Sequence, residues 1–335
     1  MPLLPFRERR YLRRFNSDAH PNHGVIVTDR EGVIRFVSDN QPLVSLGRVE
    51  PKSLVGRDLT EVFSKLFEAV PDAKNRLSEL LKTKTPFSLQ FSYASPFFKQ
   101  GRGPSKFIVV GHAFPEGKGG FAFHTVYRND PDLKAAAVDV LIHASKLHDP
   151  QLKNHGRLVS FLSLLTAPEF NLSKEKQANL QSAALLHDVG KLVVPIKVLL
   201  KRSKLSAREK VFMQTHPPVG AEMVREIIGA EAARIIEAHH MMANGSNGYP
   251  LPEGVAPGHA SLEARILKVA DAYASLLTKR SYHRAWKHEA AIAELESKAG
   301  RDYDAKVVEA FKRVLEANSA KVDAAFEKFN GRRRA

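Results

Sequence analysis

The sequence predicts an α+β chain of two domains: a mixed domain with an antiparallel sheet over residues 1–129 and an all-helical domain over residues 130–335. Three observations support this. Short runs of β-branched and aromatic residues between Gly-, Pro- and Lys-rich turns are confined to the first part. From residue 130 onward, apolar residues recur at helical spacing instead. The length of 335 residues is enough for two domains that each bury a core.

The N-terminal domain is predicted from its order of elements. Two strands, 24–28 and 33–38, flank the turn sequence DREG, and apolar residues at helical spacing follow over 59–70. Three more strands, at 87–93, 107–114 and 120–128, are separated by GRGPSK and PEGKGG. Two strands, a helical middle and three strands resemble a PAS-type sensor domain, with GVIVTDREGVIRFVSDN as its opening hairpin. This resemblance implies that the domain senses a ligand, of unknown identity, or dimerises.

The helices of the second domain are predicted from apolar periodicity, and prolines mark several of their ends. The predicted spans are 132–147, 155–166, 174–186, 207–214, 220–228, 230–241, 262–278, 289–298 and 307–329, the last as one helix or two.

The composition excludes several classes of protein. The chain has no cysteine, which excludes disulfides, thiolate metal sites and cysteine nucleophiles and agrees with a cytoplasmic location. No apolar run approaches the ~18–20 residues of a membrane span, so no transmembrane segment is predicted. The net charge is +15, with dense basic clusters at both ends. We interpret these clusters as solvated and predict no specific nucleic-acid partner; weak contact with nucleic acid or anionic lipid is the alternative.

Seven histidines and aspartates of the helical domain are predicted metal ligands. Neutral imidazoles joined by a carboxylate hold divalent transition metals, and two metals that share a carboxylate and a water can cleave a phosphodiester. Any one of these histidines alone is more often a capping or surface residue, but their combination in compact motifs favours a metal site. The candidates are His155, His187, Asp188, His216, His239, His240 and Asp271.

The local patterns indicate how these residues divide the work. On one helix, His187 and Asp188 project about 100° apart, so Asp188 can bridge two metals while His187 binds one. Lys191 lies one turn on, where it can neutralise a phosphate oxygen. His216 precedes two prolines that predict a rigid helix start. Asp271 lies in an apolar helix, where a carboxylate must be paired or metal-bound.

The motifs NHGRLV, LLHDVGKLVVP, HPPVGAE, HHMMANGSNGYP and VADAYASLLTKRSYHRA together resemble the HD-GYP family, a branch of the HD-domain phosphohydrolases. The resemblance runs from about residue 155 to residue 282. It implies a helical bundle with two divalent metals, iron or manganese, that hydrolyses cyclic di-GMP to linear pGpG or GMP through a metal-activated hydroxide. By the same resemblance Asp188 and Lys191 are catalytic, while Lys191, Arg280, His283 and Tyr249 contact the substrate. A tyrosine that only packs its loop is an equal alternative for Tyr249.

The chain also departs from the family pattern. Met241 and Asn244 stand where the family carries Glu and Asp, and the loop before the Gly-Tyr-Pro sequence is one residue longer. Gln151 replaces a Glu ligand of a third metal, so a binuclear site is predicted; His283 replaces a Lys or Arg. Met241, Asn244 and the altered loop leave open a receptor that binds nucleotide without turnover. A phosphohydrolase for cyclic GMP–AMP or a linear nucleotide is a separate alternative. A homodimer is expected.

Overall fold

The computed structural model of the chain describes residues 23–38, 50–64, 70–93, 105–113, 121–128, 137–138, 141–142, 145, 150–201, 203–245, 249, 256, 259–278 and 285–330. The chain forms two compact units, residues 1–148 with 222–227, and residues 149–221 with 228–335. The predicted domain boundary near residue 129 lies outside the described residues and stays a prediction. Within the described ranges no helix combines the length and apolarity that a bilayer crossing requires.

The first unit contains one five-stranded antiparallel sheet, with strand order β2-β1-β5-β4-β3. β1 pairs with β2 and β5, and β4 pairs with β3 and β5. The strands are β1 His23–Thr28, β2 Ile34–Val37, β3 Phe87–Tyr93, β4 Ser105–Ala113 and β5 Phe121–Arg128. The predicted antiparallel sheet is confirmed, and the strand ends agree with the prediction within two residues.

The hairpin between β1 and β2 is closed by one aspartate. The Oδ1 atom of Asp29 accepts hydrogen bonds from the backbone amides of Glu31 and Val33, at 3.1 and 2.9 Å. Gly32 adopts φ 86°, a left-handed conformation that glycine takes without steric cost. The turn chemistry expected of the DREG sequence therefore sets the register of the first two strands.

The prediction of one helix over 59–70 falls partly on residues 65–69, which lie outside the described residues, and over the rest the helix ends early, at its C-cap Phe63. A short helix, α1 Leu59–Val62, starts at Asp58, whose side chain accepts from the amides of Thr60 and Glu61. A second helix, α2 Pro71–Thr83, was not predicted. Pro71 fixes its first turn, and Leu77 and Leu80 are buried in the core with residues of the sheet.

The second unit is helical. Its α3 packs against α4, α9 and α12, and Leu158, Val159 and Leu162 of α3 are fully buried. The helices are α3 Pro150–Thr166, α4 Lys174–Leu186, α5 Ile196–Leu199, α6 Ala207–Gln214, α7 His216–Ile228, α8 Ala230–Ala238, α9 Leu262–Leu277, α10 His288–Ser297, α11 Ala305–Ala317 and α12 Ser319–Asn330. Residues 222–227 of α7 belong to the first unit.

Most predicted helices of this unit are present, but several boundaries differ, and the short α5 was not predicted. α3 begins at Pro150 rather than at residue 155. α7 begins at His216 rather than at residue 220, because Pro217 and Pro218 occupy its first turn, where an amide donor is not needed. α8 ends at Ala238 rather than at residue 241. The span 307–329 is two helices that separate at Asn318, the C-cap of α11. The predicted helix 132–147 falls mostly outside the described residues.

Candidate metal centre

Two of the predicted ligands lie where one helix ends. His187 is the C-cap residue of α4, and Asp188 precedes a short 3₁₀ helix, Val189–Val193. The expectation that both lie within one α-helix was wrong. The backbone leaves helical geometry at Asp188, with φ −96° and ψ 4°, and the tighter 3₁₀ turn then places Gly190 against the start of α7.

The other ligands come from four further helices. His216 is the first residue of α7, His239 is the C-cap of α8, and His240 follows it. His155 and Asp271 lie inside α3 and α9. All five histidines lie within one group of rings, with neighbouring centroids 4.0–5.5 Å apart.

Two glycines allow these elements to approach each other. A Cβ on Gly156 would be 2.7 Å from the carbonyl oxygen of Leu185, and one on Gly190 would be 2.0 Å from that of His216. Real Cβ atoms do not approach backbone oxygens so closely, so neither position accepts a side chain without movement of a helix. Glycine is therefore required at position 156, where α3 crosses α4, and at position 190, where the 3₁₀ helix approaches α7.

Three histidines share one hydrogen-bond arrangement. The Nδ1–H of His187, His216 and His239 donates to the carbonyl oxygen of the residue three positions earlier: Ala184 at 2.9 Å, Met213 at 2.7 Å, and Ile236. Since a carbonyl can only accept, Nδ1 carries the proton and Nε2 keeps its lone pair. Among the described residues, these three buried Nε2 atoms have no hydrogen-bond partner. A carbonyl on one ring nitrogen and a lone pair on the other is the arrangement of metal-bound histidine.

The two carboxylates lie between the rings. The two oxygens of Asp188 face different histidines: Oδ2 is 3.4 Å from Nε2 of His187, and Oδ1 is 3.4 Å from Nε2 of His216. Oδ1 of Asp271 accepts from Nε2 of His155 at 2.8 Å and is 3.7 Å from Nε2 of His187. Each carboxylate thus faces two imidazoles.

Three groups of ligand atoms are close enough to hold an ion. In each group one donor atom from every residue lies within 4.8 Å of the others. The groups overlap, because His187 and His239 each belong to two of them. They are His216–His239–His240, His155–His187–Asp188 and His187–His239–Asp271.

Charge at the centre is balanced by pairing. Burial acts to raise the pKa of Asp188, but Lys191, whose Nζ donates to Oδ2 at 2.6 Å, and the nearby His187 outweigh it, so this pKa lies well below its usual range. Burial likewise acts to raise the pKa of Asp271, but the hydrogen bond from His155 and the charges of His187 and His155 together outweigh it, so this pKa also lies well below its usual range. Both carboxylates are therefore ionised at neutral pH.

The imidazoles respond in the opposite way. Burial, then the charge of Lys191, lowers the pKa of His216 to about 3. Burial, then His187, lowers the pKa of His239 to about 4, and burial lowers that of His240 well below its usual value. Burial also opposes the charge of His187, but Asp188 outweighs it and raises that pKa. Most of the rings are thus neutral at pH 7, the form that binds metal.

The predicted substrate contacts are only partly within the described residues. Lys191 lies at the centre, where its Nζ atom is 2.6 Å from Oδ2 of Asp188. The Tyr249 ring stacks on His240, with centroids 4.2 Å apart and planes at 22°, and meets His216 edge-on at 5.6 Å. Arg280 and His283 lie outside the described residues.

One residue near the centre was missed from the sequence. Lys268 of α9 donates to the carbonyl oxygens of His240 and Met241, at 3.2 and 2.7 Å. Burial lowers its pKa to about 8. A cation within the apolar stretch ILKVAD was the available signal, because a buried charge must find partners. Met241, which stands where the family carries Glu, is itself buried.

A helical bundle with buried histidines around two carboxylates is typical of one class of protein, the helical domains whose side chains could hold divalent metal. Residues 139–307, half of the chain, match the HD domain family. The chain belongs to the HD-domain family, which confirms the HD part of the resemblance.

Named relatives agree with this assignment. The chain is 38% identical over 161 residues to the cyclic di-GMP phosphodiesterase response regulator RpfG of Xanthomonas campestris, covering 46% of this chain and 41% of that one. It is 29% identical over 267 residues to a cyclic di-GMP phosphodiesterase of Thermotoga maritima, covering 76% and 68%. It is 27% identical over 262 residues to 3′3′-cGAMP-specific phosphodiesterase 2 of Vibrio cholerae, covering 72% and 49%. The chain thus spans less than half of the first and third of these relatives.

Proposed function

We propose that this chain is a metal-dependent phosphodiesterase that hydrolyses cyclic di-GMP to linear pGpG or GMP. One observation carries the proposal: three buried histidines present unpartnered Nε2 atoms, among the described residues, toward two ionised carboxylates. Without a ligand, four buried imidazoles and a half-buried fifth around two carboxylates are a costly arrangement, since buried polar atoms require partners. Divalent metal ions supply those partners.

The donor set fits two metal ions of intermediate softness. It consists of imidazole nitrogens and carboxylate oxygens without thiolate, which suits iron or manganese. Asp188 is proposed to bridge the two ions, because its two oxygens face different histidines. When bound, such metals polarise a phosphoryl oxygen and make a bound water acidic enough to serve as a nucleophile. The proposed ligands are His155, His187, Asp188, His216, His239, His240 and Asp271.

The protein's own groups position and neutralise the substrate. Lys191 pairs with Asp188 at 2.6 Å. Metal held by Asp188 would leave the Lys191 ammonium available to a phosphate oxygen, where it would stabilise the charge that develops during displacement. Tyr249, Arg280 and His283 are proposed to contact the remainder of the nucleotide. His283 in place of a stronger base makes its phosphate contact dependent on pH.

The substrate class is inferred from the relatives. Two of the three relatives above are named for cyclic di-GMP and the third for 3′3′-cGAMP. Both molecules present the same cyclic phosphodiester backbone, so cyclic GMP–AMP is the second substrate to test. We further propose that the sheet-containing first unit is a PAS-like sensory domain, that the protein acts in the cytoplasm, and that it is a homodimer.

The test is product analysis with defined metal content. The protein is depleted of metal, reloaded with Mn²⁺ or with Fe²⁺ under anaerobic conditions, and incubated with cyclic di-GMP or 3′3′-cGAMP. Products are separated chromatographically. Asp188→Asn removes the proposed bridge, and Asp72→Asn, at an exposed aspartate of α2, is the matched control.

Each outcome decides between functions. Linear product from the wild type and from Asp72→Asn, but not from Asp188→Asn, supports the phosphodiesterase. Two bound metals and bound nucleotide without product would instead support a receptor. The presence of Met241 and Asn244 in place of two carboxylates favours that function. A wild-type protein that binds no metal would overturn both.

A further inference from the structure

Lys268 joins two parts of the centre that are distant in sequence. It lies on α9, one turn before Asp271, and its Nζ donates to the carbonyl oxygens of His240 and Met241. Nζ is also 3.3 Å from Sδ of Met242. Three consecutive residues after α8 therefore contact one side chain of α9.

These carbonyls need an external donor. α8 ends at Ala238, and carbonyl groups at and beyond a helix end have no partner within the helix. Lysine at a helix C-terminus both donates to such carbonyls and opposes the negative end of the helix dipole. Lys268 thus lies where its ammonium group can hold the backbone that follows the C-terminus of α8.

A second element holds the same segment. The turn between α10 and α11, residues 298–304, accepts hydrogen bonds from it: the amide of Ala243 donates to Asp302 O at 3.4 Å, and that of Asn244 to Arg301 O at 3.1 Å. The neighbouring Tyr303 ring lies 5.7 Å from Lys268 Nζ, within cation–π range. Lys268 contacts residues 240–242, and this turn contacts residues 243 and 244.

This is the segment in which the sequence departs from the family pattern. Met241 and Asn244 replace two carboxylates, and the lengthened loop begins here. The segment starts at the proposed ligand His240 and leads to Tyr249, whose ring stacks on His240. The conformation of this segment therefore affects both His240, a proposed metal ligand, and Tyr249, a proposed substrate contact.

We propose that Lys268 is a positioning residue that, with the turn between α10 and α11, holds the segment after α8 so that His240 faces the metal centre. This inference rests on the proposed function for its metal, though not for its effect on the segment itself. Loss of Lys268 frees the His240 and Met241 carbonyls and loosens the His216–His239–His240 group. The His155–His187–Asp188 group, which has no contact with Lys268 among those described, keeps its geometry.

The experiment compares Lys268→Met with wild type and with Lys312→Met, a control at a partly exposed lysine of α11 that pairs with Glu296. Hydrogen exchange by mass spectrometry is first measured on metal-free full-length protein. Lys268→Met is expected to raise exchange about tenfold in peptides covering 239–245 and to leave those of α3 and α4 unchanged. Mn²⁺ titration is then expected to show one of two equivalents weakened about tenfold, since loss of a residue that orients a ligand typically costs 10–100-fold in metal affinity.

Several results would overturn the proposal. They are unchanged exchange over 239–245, exchange raised throughout the second unit, or an equal loss of both Mn²⁺ equivalents. Should Lys268→Met fail to fold, Lys268→Gln, which keeps an N–H donor without the charge, is expected to show an intermediate effect, and a wild-type pattern from it would also overturn the role. A wild-type protein that binds no Mn²⁺ would sink the proposed function, while the metal-free exchange data would still decide the role of Lys268.

Discussion

Gly156 of α3 lies so close to Leu185 of α4 that a methyl group on the glycine would be 2.7 Å from the leucine carbonyl oxygen. Both residues are near proposed ligands, since His155 precedes Gly156 and His187 lies two residues after Leu185. The rings of these histidines are 5.3 Å apart. The absence of a side chain at position 156 therefore sets the separation of two ligands on different helices.

Gly156→Ala is expected to weaken both the fold and the metal site. Alanine favours a helix over glycine by about 1 kcal/mol, but the clash requires α3 and α4 to separate, and overpacking costs about 1–3 kcal/mol. We expect a net loss in the free energy of unfolding and weaker Mn²⁺ binding, measured by urea denaturation and calorimetric titration.

Gly56→Ala is the control for general instability. Gly56 has φ 94° and no atom near its Cβ direction, so alanine there is strained without a clash. It is expected to lower stability while Mn²⁺ affinity stays at the wild-type value. If Gly156→Ala bound Mn²⁺ as tightly as Gly56→Ala does, the helix crossing would not set the ligand spacing.

Lys191→Met is expected to destabilise the metal-free protein more than the metal-loaded protein. Both partners of the Lys191–Asp188 pair are nearly buried, and removal of one partner from a buried pair costs about 3–5 kcal/mol because the other charge is left uncompensated. Metal bound to Asp188 would supply the missing charge. Thermal unfolding with and without Mn²⁺ measures the difference, and equal destabilisation in both states would contradict the prediction.

The metal-free protein is expected to lose stability as the pH falls from about 6.5 toward about 4. His216 and His239 have folded-state pKa values of about 3 and about 4, below the unfolded value of 6.5, so the unfolded chain binds more protons in this window. Their contribution is therefore complete above pH 6.5 and is lost on acidification. The raised pKa of His187 acts in the opposite direction.

This pH effect is measured as a difference between proteins. Urea denaturation in the presence of chelator at several pH values compares the wild type with a His216→Gln/His239→Gln double variant, whose profile is expected to be flatter. His259→Gln, at an exposed histidine, is the matched single-site control. Parallel profiles for the wild type and the double variant would refute the assignment.

Tyr249→Ala is expected to weaken Mn²⁺ binding about two- to tenfold, because a stacked aromatic pair contributes about 0.5–1.5 kcal/mol. Tyr249→Phe keeps the stack and should keep the metal affinity. A raised KM for cyclic di-GMP in Tyr249→Phe would then report a direct contact of the hydroxyl with substrate. Unchanged metal affinity in Tyr249→Ala would show that the stack does not support His240.

The candidate ligands were predictable because their motifs are compact. The members of a pair such as His187-Asp188 or His239-His240 are adjacent in sequence and so lie together in any fold. The helical periodicity of the surrounding apolar residues predicted that both pairs belong to one domain. The structure brings all seven residues together, and their metal-binding role stays a prediction.

Other features depend on contacts between distant residues and were not predictable. The α2 helix has few sequence signals beyond Pro71. Its apolar residues are explained only by their packing against the sheet. Lys268 gains its role only when α8 and α9 lie side by side. The 3₁₀ turn after Asp188 likewise brings Gly190 against His216, a residue far from it in sequence.

The carbonyl groups that orient His187, His216 and His239 belong to the main chain, each three residues earlier. Side-chain substitutions at positions 184, 213 and 236 therefore leave the orienting atoms in place, so long as the local turn is kept. Much of this centre is thus encoded by backbone shape rather than by residue identity. Residues at these three positions that fit the same space can therefore be exchanged over evolutionary time without misaligning those three imidazoles.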